Sequence, residues 1–205
     1  MKKIIYLILL TFILNACKPL EPLIAPADRA YKLDKFYSAI DLYKKAAISG
    51  KKNERIRSVF LIAECYRMMN DPKNAAIWYL KAAKVGIDTI ILYKRLGEVL
   101  ENQNKLEEAV EHFQSYAKFT GDSTGLKSCK LALEWSKKEL NFEVFNETGL
   151  NSKGSDFAPA FMNDKLIFTS TREPVKGNNM YEWTGKGYLN LYISQKDNRN
   201  QWAKP

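Results

Sequence analysis

The sequence predicts an α+β chain of two parts: a helical array of about three helix pairs plus a capping helix over residues 27–141, and an antiparallel β unit over residues 142–205. Two observations carry this. Ala39-x3-Tyr43-x2-Ala46, Ala75-x3-Tyr79-x2-Ala82 and Ala109-x3-Phe113-x2-Tyr116 are one pattern repeated at offsets of 36 and 34 residues. The spacing sets a small residue, an aromatic and a third residue on one helical face. After Phe142 the apolar period drops from about 3.6 to about 2, that of a strand with one face covered. At 205 residues, 46% hydrophobic and 12% aromatic, the chain has ample material for packed cores.

The amino terminus speaks to compartment. Lys2-Lys3 precede an apolar run of 11 residues, Ile4 to Leu14, well short of the roughly 20 needed to span a bilayer, so residues 1–16 read as a signal peptide. Leu14-Asn15-Ala16-Cys17 resembles a bacterial lipobox, in which a small residue precedes an obligatory cysteine. That resemblance implies cleavage before Cys17 and acylation of its thiol, and at about 0.8 kcal/mol per buried CH₂ several acyl chains make membrane attachment permanent. No aspartate follows Cys17, so the inner-membrane retention signal of enteric bacteria is missing. The expected address is the outer membrane, facing the periplasm. Residues 17–26 hold Pro19, Pro22 and Pro26 and are expected to form an extended, lipidated tether with no helix.

Within the array, the residues 12 positions before two of the pattern alanines are also small, Ala63 and Gly97, which lets the helices of a pair approach closely. Leu96-Gly97, Tyr66, Ala75, Tyr79, Ala109 and Phe113 together resemble the tetratricopeptide repeat, with its W-x2-L-G-x2-Y, A-x3-F and P pattern at a period of about 34. Tyr93 stands where a Trp is common, Leu100 replaces a Tyr, and no proline closes a repeat; Ala27, Ala30 and Tyr31 approximate the first opening helix. The resemblance implies a solenoid: each pair has an apolar stripe it cannot bury alone, so neighbours stack into a right-handed superhelix. Asp71-Pro72 and Asn102-Gln103-Asn104 supply turns within pairs, Pro72 sitting where its missing N–H does no harm. Gly121 to Gly125 breaks the pattern, and Leu126 to Leu140 reads as an amphipathic cap with Lys127, Lys130, Lys137 and Lys138 outward.

Cys65 and Cys129 fall on the first helices of the second and fourth units. At about 8–10 Å per helix contact they stand about 20 Å apart, beyond the roughly 7 Å a disulfide allows, so free, partly buried thiols are expected. His112, the only histidine, has no Cys or Asp at metal spacing and reads as a solvated surface residue.

In the β unit, Phe142-Glu143-Val144-Phe145 reads as a short strand and Asn146 to Gly154 as turns. Phe157 to Phe161 is an edge-like strand marked by Pro159, Asn163-Asp164 a turn, and Leu166 to Ser170 a strand. A polar loop with Gly177, Gly185 and Gly187 leads to the alternating strand Tyr188 to Ser194, and Gln201 to Pro205 begins a fourth. Asp156-x2-Pro159-x-Phe161, Phe168-x-Ser170-x-Arg172, Asn190-Leu191-Tyr192 and Trp202 resemble one blade of a TolB-type β-propeller; Asn190 replaces an Asp, and Asn163-Asp164 stands for Asp-Gly. The implied fold is one incomplete antiparallel blade. A lone blade exposes both faces and both edges, so the chain is expected to be part of a longer protein.

Lipobox, repeats and blade in this order resemble the amino-terminal part of OmpA-family lipoproteins of Bacteroidetes, some of which serve type IX secretion and gliding. That resemblance implies envelope proteins as partners, with peptidoglycan reached only through a carboxy-terminal domain that these residues do not contain. The formal net charge of +9 suits an anionic neighbour, but the lysines are scattered along the helices, which speaks against nucleic acid and fits a solvated surface. No Gly-x-Ser-x-Gly, His-Glu-x-x-His, phosphate-binding glycine loop or zinc-spaced cysteine pair occurs, so no catalytic, metal or cofactor site is expected. Glu107, Glu108 and Glu111 read as one solvated face. Trp78, Tyr79, Tyr93 and Trp135 read mostly as stacking core instead of a sugar platform. The expected function is a non-catalytic, lipid-anchored scaffold binding partners through its repeats. The alternatives are an outer-membrane carbohydrate-binding lipoprotein and the amino-terminal part of a propeller-containing peptidase.

Overall fold

The computed structural model describes residues 22–139, 141–172 and 180–205. The expected signal peptide and Cys17 lie outside them. Among the described residues the helices are α1 (Ala25–Lys32), α2 (Phe36–Ser49), α3 (Lys52–Met68), α4 (Pro72–Lys84), α5 (Thr89–Glu101), α6 (Leu106–Thr120) and α7 (Thr124–Ser136). The strands are β1 (Asp156–Met162), β2 (Lys165–Ser170), β3 (Met180–Tyr181), β4 (Lys186–Gly187) and β5 (Asn190–Gln195). The class is α+β, with the helices first. Each helix packs on its sequence neighbours, and α5 also touches α7. Connections this short force neighbours to run antiparallel. The α1–α2, α3–α4 and α5–α6 turns therefore share one edge of the stack, and the α2–α3, α4–α5 and α6–α7 turns share the other.

The first set of turns repeats in detail. Asp34, Asn70 and Asn104 adopt φ of 56°, 56° and 57°. The N–H of the next residue then reaches back to close the turn: Lys35 to Ala30 O at 3.0 Å, Asp71 to Tyr66 O at 2.9 Å, and Lys105 to Leu100 O at 3.0 Å. Asn and Asp tolerate this left-handed region better than most residues do, which is why the chain can place them there. The same spacing runs through the core, where Ala39, Tyr43, Ala46, Ala63, Ala75, Tyr79, Ala82, Gly97, Ala109 and Phe113 are buried and Tyr66 is half-buried. A Cβ on Gly97 would come within 2.8 Å of Phe113 Cε1, and one on Gly125 within 2.5 Å, so the ring fills a slot that only glycines leave open.

The expected tether is helical at its end. Ala25 and Pro26 form the first turn of α1, where proline lacks nothing the helix needs, and Ile24 is buried beneath it. Two later helices, α4 and α5, start on side-chain caps. Asp71 Oδ1 accepts from the Asn74 N–H at 3.1 Å, and Asp88 Oδ1 from the Ile90 N–H at 2.8 Å. The cap helix ends at Ser136, sooner than the expected Leu140.

The larger sheet has the order β1–β2–β5, all antiparallel, with Phe161 opposite Leu166 and Phe168 opposite Tyr192. Leu166 and Phe168 bury one face against Leu150, Tyr192 and Trp202. The fourth strand is only begun, by a Lys196–Trp202 bridge. Phe142 to Phe145 forms no strand, and Phe142, Val144 and Phe145 are exposed. Alternation alone does not pair a segment, and the open β1 edge is blocked to pairing by Pro159 and a bulge between Phe157 and Ala160. The expected polar loop instead contains a hairpin, β3–β4, turning through Gly185 at φ 69°. It lies against the helices. Trp183 meets Phe36 edge-on at 4.8 Å, and Gly185 abuts the Tyr37 ring so closely that a Cβ would sit 2.1 Å from it.

Candidate functional site

A line of charged side chains crosses the odd-numbered helices. Glu64 of α3 is 6% exposed. Its carboxylate accepts from Arg67 Nη2 at 2.8 Å and from the hydroxyl of Tyr79 of α4, and Arg95 Nε of α5 stands 3.1 Å away as an ion pair without hydrogen-bond geometry. Arg95 also holds Glu98 at 2.8 Å. Glu64–Arg67 and Arg95–Glu98 are both i,i+3 pairs, so each helix pre-positions its own partner before the helices meet. Burying a carboxylate is costly unless it is paired, and here two guanidinium groups and a phenol share the pairing. Burial works against the Arg67 charge, but its hydrogen bond to Glu64 and the carboxylate's attraction outweigh this and raise its pKa. Burial first, and then the Glu64 charge, pushes the Tyr79 phenol upward, so it stays a donor.

Beyond Glu98 the line opens into a cavity of about 360 Å³ between α5 and α7. Phe113 and Tyr116 of α6 line it, together with Lys94, Glu101, Asp122 and Ser128. Lys94, Glu98 and Glu101 recur at i, i+4 and i+7 and so share one face of α5. The Ser128 hydroxyl donates to Glu101 Oε1 at 2.8 Å, and Lys94 Nζ stands 5.6 Å from the Tyr116 ring centroid. Charges of both signs over an aromatic floor suit the backbone and charged side chains of an extended polypeptide. His112 is half-buried against Tyr93, at 6.2 Å between ring centroids, and so is less solvated than expected; burial lowers its pKa. Among the described residues no group of three or more His, Cys, Asp or Glu is placed to hold a metal.

Cys65 and Cys129 are free and fully buried, more deeply than expected. Burial pushes the Cys65 thiol up to about 12 and the Cys129 thiol up to about 11. Of the four aromatic residues weighed as a sugar platform, Tyr79 is buried, Trp78 and Tyr93 are half-buried and Trp135 is exposed. They stand on three different helices, α4, α5 and α7. No helix among the described residues is long and apolar enough to cross a membrane.

Asp156, Phe168, Ser170, Arg172 and Tyr192 form a lock between strands. Arg172 Nη2 reaches Asp156 Oδ1 at 2.9 Å and the Leu150 carbonyl at 2.6 Å, and its Nε reaches Ser170 Oγ at 3.1 Å. The guanidinium lies 5.0 Å from the Phe168 ring centre and 4.7 Å from that of Tyr192. Asp156 Oδ2 accepts from the N–H and hydroxyl of Ser152 at 2.6 and 2.8 Å. Burial raises the Asp156 pKa, but hydrogen bonds from Ser170, Ser152 and Arg172 prevail and hold it well below the usual carboxylate range. Pro159 marks the bulge in β1, and Phe161, 75% exposed, leans on Trp202 at 6.2 Å.

The repeat residues singled out in the sequence thus build the core. The groove belongs to polar residues the sequence reading passed over: Glu64, Arg67, Lys94, Arg95, Glu98 and Glu101. Their signal was available, as charged residues recurring at i+3, i+4 and i+7 on the first helices of successive units. Trp183 and Glu182 were missed as well, although Gly185 between two short polar and aromatic runs is a turn signal. The sequence matches no protein-family model and no curated protein.

Proposed function

We propose that the chain is a non-catalytic scaffold of a bacterial envelope, anchored in the outer membrane by an acylated Cys17 and binding partner proteins along the groove of α3, α5 and α7. The observation that carries this is the charged line from Arg67 to Ser128, which runs across successive odd helices and widens between α5 and α7. A solenoid of tetratricopeptide type is supported by the three left-handed turns at offsets of 36 and 34 residues. A first TolB-like propeller blade is supported by the Asp156–Arg172 lock and by the strand begun at Trp202. Domain order supports membership in an OmpA-family assembly such as that of type IX secretion, with peptidoglycan held by a further domain.

The test is a pull-down from envelope extract with the full chain, comparing the unaltered protein with a Lys94→Glu/Glu98→Lys variant. These side chains line the groove and are partly exposed, so reversing them changes recognition more than folding. Loss of a specific co-purifying protein is expected; an unchanged set of captured proteins overturns the assignment of the groove. Labelled palmitate, incorporated by the unaltered chain and not by Cys17→Ala, tests the anchor separately.

A further inference from the structure

The two edges of the helical stack carry different chemistry. The edge formed by the α1–α2, α3–α4 and α5–α6 turns holds Asp34, Asp71, Glu107 and Glu108, and the hairpin bearing Glu182 and Trp183 closes its first notch. The opposite edge begins with the amino terminus of α1 and continues through the α2–α3, α4–α5 and α6–α7 turns. Each of these three turns presents exposed lysine beside one exposed apolar side chain. Lys45 and Lys52 flank Ile48, which is 78% exposed; Lys84 adjoins Val85, and Lys118 adjoins Phe119, 62% exposed.

Single exposed apolar residues need no explanation. Here, though, one recurs at three successive turns, always with a cation. None of Lys45, Lys52, Lys84 and Lys118 has an ion pair among the described residues. On this edge Asp28 of α1 holds Arg57 at 2.8 Å, and three further carboxylates accept from N–H groups at helix starts. Glu54 accepts from the Lys51 N–H at 3.1 Å, Asp88 from the Ile90 N–H at 2.8 Å and Asp122 from the Thr124 N–H at 3.0 Å. The chain from Cys17 also enters on this edge. Seven residues separate Cys17 from Ala25, a reach of about 25 Å at most.

We infer that this edge lies on an anionic lipid bilayer, its lysines meeting headgroup phosphates while Ile48, Val85 and Phe119 settle among the headgroups. The inference rests on the reading of Cys17 as the anchor. It adds an orientation: the β3–β4 hairpin faces away from the membrane, because it docks on the other edge. Each lysine so placed attracts an anionic surface over about a Debye length, about 10 Å at moderate salt.

The test uses the full chain carrying Cys17→Ser, so that no acyl group contributes and the apolar leader is common to every sample. Co-sedimentation is measured with vesicles of phosphatidylcholine alone and with about one-third phosphatidylglycerol. Preference for the anionic vesicles is expected, falling as NaCl is raised. The triple change Lys45→Glu, Lys52→Glu and Lys84→Glu lowers anionic-vesicle binding at least about a hundredfold, the loss of three positive charges alone accounting for that much. Lys32→Glu, Lys73→Glu and Lys137→Glu, which reverse as many charges away from this edge, leave it within about twofold. Equal loss in both triple variants, or no preference of the unaltered surface for anionic vesicles, overturns the inference and leaves an acidic protein or water as the occupant. Palmitate labelling at Cys17 is read independently, so an anchor that fails and an edge that fails give different results.

Discussion

The indole N–H of Trp183 donates to the carbonyl oxygen of Met68 across 2.9 Å, joining residues 115 positions apart. The contact fills a gap in the repeat. One unit further on, Gln103 Nε2 donates to the Val99 and Pro72 carbonyls, each at 3.1 Å, and so ties the end of α5 to the start of α4. The residue 34 positions before Gln103 is Met69, which has no amide to offer. The hairpin brings a donor to the same turn from outside, although to a different carbonyl, that of Met68. It also supplies a missing cap: Lys35 gives α2 no side-chain cap, and the Glu182 carbonyl accepts from the Tyr37 N–H at 3.1 Å while the Ser38 hydroxyl donates to Glu182 Oε2 at 2.5 Å.

Trp183→Ala is therefore expected to free the hairpin from the stack and to cost about 2–4 kcal/mol, the lower part of the range for removing a large aromatic because the ring is only half-buried. Hydrogen exchange gives the sharper readout. Exchange at the Tyr37 amide accelerates, while the Asn74 amide, held by Asp71, keeps its rate. Equal protection at Tyr37 in both proteins would show that the hairpin docks without its tryptophan.

Gly97→Ala and Gly125→Ala each push a methyl into the Phe113 ring from opposite helices. Helix propensity favours alanine by about 1 kcal/mol, so an exposed glycine would gain stability from the change. Here overpacking dominates, and each variant loses about 1–3 kcal/mol in urea unfolding. Phe113→Leu in the Gly97→Ala background recovers part of the loss. A stabilised Gly97→Ala protein would mean that α5 and α7 do not close on this ring.

These relations divide what a reader of the sequence can see from what he cannot. The alanine–tyrosine pattern and the turns at Asn70 and Asn104 are local, so period and core were legible in advance. The groove was not, because Glu64 and Arg95 make sense only when α3 and α5 meet; on a single helix each reads as another solvated charge. Trp183 was hidden for the same reason, its partners lying over 100 positions away. Phe142 to Phe145 misled in the opposite sense. Its alternation is that of a strand, but a strand also needs a free edge, and Pro159 with the bulge denies it one on β1.

Acid should act on the sheet through Asp156. Its folded pKa lies below the ordinary carboxylate value of about 3.9, so the unfolded chain binds the proton more readily. The stabilisation is fully present above about pH 4 and is lost as pH falls through the folded value. Asp156→Asn forfeits it at neutral pH and flattens the acid limb of the stability curve. Chemical denaturation between about pH 2 and pH 6, followed by the Trp202 environment, distinguishes the two proteins. Parallel curves would assign the acid sensitivity elsewhere.

The Glu64 cluster gives the most discriminating prediction, because removing one member and removing the whole set have opposite expected consequences. Glu64→Gln keeps the shape and an acceptor for Tyr79 but leaves Arg67 and Arg95 facing each other with no carboxylate between them. Both guanidinium groups retain some water, their side chains being 27% and 23% exposed, so the cost falls below that of a fully buried orphan charge, at about 2–3 kcal/mol. Glu64→Leu combined with Arg67→Met and Arg95→Met removes every charge of the cluster except Glu98, which reaches water. That triple variant is expected to be more stable than Glu64→Gln alone, since apolar packing replaces a cluster whose attraction was offset by desolvation. Urea midpoints of the two variants decide it. If the triple variant is the less stable, the cluster contributes net stability to the fold; if it is the more stable yet captures none of the proteins that the unaltered chain captures, the charges are kept for recognition, and stability is what the groove gives up to hold them.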